Sequence, residues 1–298
     1  MEKHNKIYWK KGLDITPDTF INADNYHIAE RNLLGRFCAF RLYGILSDEK
    51  FYISKRLDNN TLYIENLECS AITRDGYLID VQRNTPFDKE ISLKEATDTE
   101  YYVIITVDPY SNTFADDEKV HIYPEYKLAL KRVGVSIENG IPVLKIYKDD
   151  YQAWKIDENY IPPSIALYSV DSLKEKYIEI LNKYNNIIEK LPESDAIYRQ
   201  ATLFKLELDN YCLQESPEEL TLLLKKICWI LKLYVKLEKN ITEFPSVEKF
   251  MEMKYNHNEI GNILNLGLES LEEIDQKIDE KPKEIKPEEP EELEVIKV

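Results

Sequence analysis

The chain has 298 residues, with 39 Lys and Arg against 55 Asp and Glu, a net charge of −16 and a pI near 4.9. That length suffices for about two domains, and so acidic a field works against DNA, RNA or anionic lipid, partners held mainly by Lys and Arg on phosphates. Only 8 Gly leave few positions for a phosphate-cradling turn, which weighs against a nucleotide enzyme, whereas 21 Tyr suit strands and half-wet protein interfaces.

Residues 1–11 are charged and lack the apolar run and small-residue cleavage site of a secretory signal. No stretch approaches the roughly eighteen consecutive apolar residues of a membrane span. The expectation is a soluble cytoplasmic protein with no direct membrane insertion. The first element opens at Thr16, Pro17 and Asp18, a hydroxyl cap, a Pro where no N–H is needed and an acid near the positive helix end. Phe20, Ala23, His27, Leu34, Phe37, Cys38 and Arg41 then recur at helical spacing up to Tyr43-Gly44, predicting a helix of about 20 to 25 residues.

From Lys50 to Ile156 the pattern changes to short runs rich in Tyr, Ile, Val and Leu between turn signals, as in antiparallel strands. Phe51, Ile53 and Lys55 alternate with their neighbours, as do Leu62 and Ile64. Tyr101 to Val107 is a continuous β-favouring run suited to a strand buried on both faces. Asp75-Gly76 and Asn139-Gly140 each sit between two such runs and predict type I′ hairpins. Several strands at this spacing predict a β-sandwich or barrel.

At Tyr160-Ile161-Pro162-Pro163 the composition shifts again, and helical stripes take over. The first is Leu173, Tyr177, Ile180, Leu181, Tyr184, Ile187, Ile188 and Leu191, ended by Pro192. A second carries Ile197, Ala201, Phe204, Leu208 and Tyr211. Ser216, Pro217 and Glu219 form a capping box before Leu220, Leu223, Leu224, Ile227, Leu231, Tyr234 and Val235. Ser246 is the expected cap of a fourth region, interrupted near Asn256-His257-Asn258 and continuing through Ile260, Ile263, Leu264, Leu271, Ile274 and Ile278. The whole reads as an α+β multidomain chain: an N-terminal helix and antiparallel β-sandwich over 1–163, a four-helix bundle over 164–279, and a disordered acidic Pro/Glu tail over 280–298. Within the tail, Leu293, Val295, Ile296 and Val298 have the composition of a short docking peptide.

Chemistry has little support. The nucleotide-binding motifs and the Gly-x-Ser-x-Gly elbow are absent. His4, His27, His121 and His257 are far apart, and none pairs with another His or with Cys at metal-ligand spacing, so neither cofactor nor metal is expected. Cys38, Cys69, Cys212 and Cys228 are widely spaced in apolar contexts and read as reduced core thiols. Glu65, Glu68, Asp75 and Asp80 lie on neighbouring strands or turns, where a carboxylate pair could cleave or bind a glycan. With 55 acids in the chain, solvated strand faces account for them more simply.

A family resemblance goes further. Trp9-Lys10-Lys11-Gly12-Leu13-Asp14-Ile15-Thr16-Pro17-Asp18-Thr19-Phe20, followed by Asp24 and Tyr26, resembles the opening of the type VI secretion baseplate subunit TssK. Leu42-Tyr43-Gly44, Asp75-Gly76 and Tyr160-Ile161-Pro162-Pro163 with Ser169 and Leu173 fit the same family in order, over residues 8 to 173. The chain departs from it at Pro17-Asp18-Thr19-Phe20, where most members read Pro-Gln-His-Phe. It is also expected to be a shortened form without the family's third, receptor-binding-like domain.

The resemblance implies a non-enzymatic structural subunit and a homotrimer. Its β domains would form a shoulder on the baseplate wedge proteins TssF and TssG, and its bundles a stalk leading toward the membrane complex at the cytoplasmic side of the inner membrane. Alternatives are a carbohydrate-binding or glycoside-cleaving β-sandwich protein and a phage tail receptor-binding adapter. The candidate interface residues are Trp9, Leu13 and Phe20 as anchors, with Tyr26, His27 and Phe37 on the first helix. The competing role for Trp9 and Phe20 is to staple that helix onto its own β domain.

Overall fold

The computed structural model describes residues 5–38, 43–46, 51–83, 85–114, 122–193, 195–210 and 216–282. The readings of His4, Arg41, Leu42, His121, Tyr211, Cys212 and the tail from 283 onward lie outside the described residues, as does the Cys38 side chain. Helix α1 (Pro17–Cys38) has the 22 residues its periodicity predicts. The strands that follow are β1 (Gly44–Ile45), β2 (Tyr52–Asp58), β3 (Thr61–Ile72), β4 (Leu78–Val81), β5 (Glu90–Ser92), β6 (Glu100–Phe114), β7 (Ile122–Arg132), β8 (Gly140–Lys148) and β9 (Trp154–Ile156).

They form two antiparallel sheets. In the first, β3 is shared: β2 and β5 flank its first half, β1 and β4 its second. The ladder skips Glu65, since Ser54 faces Asn66 while Lys55 faces Ile64. That extra residue switches the inward side chains from even positions (Leu62, Ile64) to odd ones (Leu67, Cys69, Ala71), because side-chain direction alternates with period two. In the second sheet the order is β7-β6-β8-β9. Tyr101 to Ile105 of the central β6 are all buried, as a strand covered on both faces requires. The Tyr126 hydroxyl on β7 links the sheets by accepting the Asp80 N–H of β4 at 3.2 Å.

Two turn expectations need correction. The Asn139-Gly140 pair closes no hairpin: β7 and β8 both pair with β6, on opposite edges, and residues 133–139 cross between them. A 15-residue central strand offers two edges, and ladder pairing outweighs the local dipeptide. Asp75-Gly76 does turn a hairpin, but of another type. Thr73 N–H donates to Tyr77 O and Gly76 N–H to Thr73 O, both at 2.9 Å, and of the pair only Gly76 has a positive φ, +85°. This is a three-residue loop ending in a glycine bulge.

The remaining helices are α2 (Asp171–Glu189), α3 (Ala196–Asp209), α4 (Pro217–Lys239), α5 (Pro245–Glu252) and α6 (Ile260–Asp279), with a 3-10 turn at His257–Glu259. The capping box of α4 is present: Glu219 N–H donates to Ser216 Oγ at 3.3 Å, and Ser216 N–H to the Glu219 carboxylate at 3.4 Å. Helix α5 differs from expectation. Its cap position is Phe244, which has no capping side chain. Instead Glu273 of α6 accepts the N–H groups of Ser246 and Val247 at 2.9 and 3.1 Å, placing a carboxylate at the positive end of the helix.

The chain divides into two compact units. The first comprises Met1–Glu179, Tyr211–Thr221 and Lys254–Asn265; the second comprises Ile180–Asn210, Leu222–Met253 and Leu266–Val298. In the second, Leu223, Leu224, Ile227, Leu231 and Val235 of α4 are buried. Gly267 lets the Leu224 side chain come so close that an added Cβ would lie 2.3 Å from it. The Tyr184 hydroxyl donates to the Ala201 carbonyl at 2.8 Å, and Lys190 pairs with Asp275 and Asp279, each at 2.7 Å. Cys69 and Cys228 are buried free thiols whose ionisation burial opposes. Among the described residues, no helix is long and apolar enough to cross a membrane.

Candidate protein-interaction surface

Helix α1 begins at Pro17 as its sequence suggests, but the Thr16 hydroxyl is not the cap expected of it: it meets the Thr19 hydroxyl at 3.2 Å and takes no helix N–H. Thr16 N–H donates to Thr19 Oγ1 at 3.2 Å, Thr19 N–H returns to the Thr16 carbonyl at 3.0 Å, and Asp18 lies in the first turn. Before it, the chain turns at Gly12, with φ +87° and Leu13 N–H on the Lys10 carbonyl at 3.1 Å. That turn sets Trp9 beside Phe20, ring centroids 6.4 Å apart.

The helix buries no described residue fully, although Ala23, Tyr26, Ile28, Ala29 and Asn32 are half-buried. Trp9 is 53% exposed, Phe20 57% and Phe37 85%, and Ile21, Leu33 and Leu34 are similarly open. Leu33, Leu34 and Phe37 share one turn, being three and four residues apart. Of the other candidate residues, Leu13 is half-buried. Tyr26 donates to Glu30 at 2.6 Å, and exposed His27 lies 3.5 Å from the same carboxylate. Large apolar side chains exposed near both ends of one helix on a polar chain make it the candidate interaction surface.

The helix meets the β region with its backbone as well as its side chains. A Cβ on Gly35 would sit 2.2 Å from the Gly76 carbonyl oxygen, and one on Gly76 would sit 2.2 Å from Arg36 N. The last turns of α1 therefore rest directly on the β3–β4 loop, an approach that only two glycines permit. Sequence reasoning found Gly76 as a turn residue but missed Gly35. A glycine inside an otherwise regular helical pattern was the available signal.

The chain leaving α1 is fixed in the same manner. Gly44, at φ +124°, lies against Pro163, whose carbonyl accepts Ile45 N–H at 2.8 Å, while Ile165 N–H returns to the Ile45 carbonyl at 3.1 Å. Tyr43 is held by His257: Nε2–H donates to the Tyr43 carbonyl at 2.6 Å, and Nδ1 accepts from the Tyr255 hydroxyl at 2.7 Å. A carbonyl can only accept, so Nε2 carries a proton, and with Nδ1 accepting from Tyr255 the ring is neutral. Burial keeps it so, lowering its pKa to about 4. Tyr43-Gly44 and Pro162-Pro163, far apart in sequence, thus meet at one joint.

The acids considered for glycan chemistry are engaged separately. Glu65 accepts from Ser54 and pairs with Arg56, Asp80 accepts from Ser70 at 2.9 Å, and Asp75 accepts the Asn139 N–H at 3.1 Å. Glu68 is half-buried on β3 opposite Tyr52. Among the described residues, no group of three or more His, Cys, Asp or Glu could hold a metal ion.

No protein-family model and no curated protein matches the sequence. Solved structures do match the fold. One, described as the type VI secretion system TssK-TssF-TssG baseplate subcomplex seen by cryo-electron microscopy, matches at TM-score 0.61 and 15% identity over 92% of this chain and 99% of that one. A TssK from the EAEC type VI system in complex with a nanobody matches at 0.59 and 15%, over 86% of this chain and 68% of that one. A further TssK crystal structure matches at 0.59 and 12%, over 93% and 70%. The chain therefore has a TssK-like fold.

Proposed function

We propose that this chain is a non-enzymatic structural subunit of a type VI (contractile) secretion system baseplate, working as a homotrimeric adapter between wedge proteins and the membrane complex at the cytoplasmic side of the inner membrane. The observation that carries the reading is the pairing of a TssK-like fold with a first helix that buries none of its described side chains. Trp9, Phe20 and Phe37 supply the large, rigid apolar bodies that dominate interface energetics when a partner covers them. Leu13, Tyr26 and His27 flank them, with Glu30 holding the last two in place. One of the matching structures is a complex with TssF and TssG, and counterparts of those two proteins are the partners proposed for this surface.

The test is the oligomeric state by light scattering, together with co-purification of the wedge counterparts. A trimer that retains them is expected. Phe20→Asp and Phe37→Asp should leave the circular dichroism spectrum unchanged and weaken either self-association or wedge capture by tenfold or more, since each removes a buried anchor worth roughly 2 kcal/mol. A monomer indifferent to both substitutions would overturn the reading.

A further inference from the structure

Helix α4 carries two apolar faces. The first is the core stripe already described. The second holds Leu222 and Trp229, seven residues or two turns apart, which are 54% and 56% exposed. This second face forms one wall of a groove of about 570 Å³ in the second unit, completed by Gln200 and Phe204 of α3 and Met251 of α5, with Lys225, Lys226 and Ile230 along it. Lys225 is committed to the Met251 and Met253 carbonyls at 3.2 and 2.6 Å. Lys226 is exposed and has no ion pair among the described residues. The groove is thus apolar along its floor and positive at its rim.

We propose that this groove is the docking site of the chain's own segment 291–298, Glu291-Glu292-Leu293-Glu294-Val295-Ile296-Lys297-Val298. The segment has the complementary chemistry: Leu293, Val295, Ile296 and Val298 for the apolar floor, and Glu291, Glu292 and Glu294 for the lysine rim. Reach is sufficient. Lys277, in the last turn of α6, donates to the Glu243 carbonyl just before α5, and Met251 lies about 10 Å further along that helix. Residues 283–290 span up to about 26 Å when extended. Joined by so short a linker, the segment is present at an effective concentration on the order of millimolar, so a contact of modest intrinsic affinity keeps the groove filled. An acidic, apolar segment on the same chain also excludes other apolar partners from Trp229 until it is displaced.

Acrylamide quenching of Trp229 in the 298-residue chain tests this. A Trp9→Phe background removes the exposed indole at residue 9, and Trp154 is buried. Leu293→Asp with Ile296→Asp is expected to roughly double the quenching constant, since it uncovers an indole that is otherwise more than half exposed. Lys226→Glu should have the same sign, and adding Glu292→Lys and Glu294→Lys to it should restore the shielding. Shielding that is independent of protein concentration fits docking within one chain; shielding lost on dilution would overturn the proposal in favour of a second copy. Quenching unmoved by the Leu293 and Ile296 substitutions would overturn it outright.

Discussion

The first and last helices are of similar length, 22 residues in α1 and 20 in α6, and their side chains meet opposite fates. Helix α6 buries Ile260, Ile263, Leu264, Leu271, Ile274 and Ile278, while α1 buries no described side chain. Ile260, Ile263, Leu264, Leu271, Ile274 and Ile278 of α6 project within about 100° of one another around the helix, so one covering surface takes most of its apolar side chains. Those of α1 are distributed around it: Phe20, Ile21 and Leu33 project about 100° or more apart. A dispersed pattern cannot be covered from one side. The spacing of apolar residues tells which side of a helix avoids water; how many separate surfaces are needed follows from the width of that spread.

The strongest challenge to this contrast is a matched pair of truncations. Leu271→Ala should lower stability by about 2–5 kcal/mol in urea unfolding, the cost of a cavity in a packed core. Phe37→Ala should cost about 0.5 kcal/mol or less in the monomeric state, because its ring is already in water. Similar losses at the two sites would break the comparison.

A second effect concerns the turn leading into α6. His257 has a folded pKa near 4, below its ordinary value of about 6.5. The unfolded chain therefore takes up the proton first. The contribution of the neutral ring is complete above about pH 6.5 and is lost as pH falls toward 4, up to about 3 kcal/mol in all. Unfolding at pH 7 and pH 4.5 should show that loss, and His257→Gln should flatten it.

The smaller effect sharpens the picture of α1. Gly35→Ala places a methyl against the Gly76 carbonyl. The helix should lift from the β3–β4 loop, costing about 1–3 kcal/mol and speeding amide exchange across α1. Unchanged exchange would mean that the glycine contact is not what holds it.

What the sequence made legible was mostly local. The start of α1, the Ser216–Glu219 capping box and the buried stripe of α4 depend on residues within a turn or two of each other, and all can be read in order. Asn139-Gly140 misled because its hairpin signal is local while the partner of both flanking strands is β6, decided by long-range pairing. The cap of α5 was equally hidden: Glu273 reaches it from 27 residues away in sequence. The interaction surface was half legible. Large aromatics near the N-terminus stood out, but their exposure depends on Gly35 and Gly76 holding the helix by its backbone, and neither residue announces that contact. The meeting of Tyr43-Gly44 with Pro162-Pro163 was invisible for the same reason, although both pairs carried the family resemblance.

That joint has a consequence of its own. Ile45 and Ser164 form a parallel bridge, so the chain enters and leaves the β region through a single clasp, and everything between is a closed loop. A region whose two ends are fastened together behaves as a cassette. Its internal turns, such as Asp149–Gln152 or Asn59–Asn60, can accept an inserted tag without disturbing that clasp, whereas a side chain forced onto Gly44 would wedge it open.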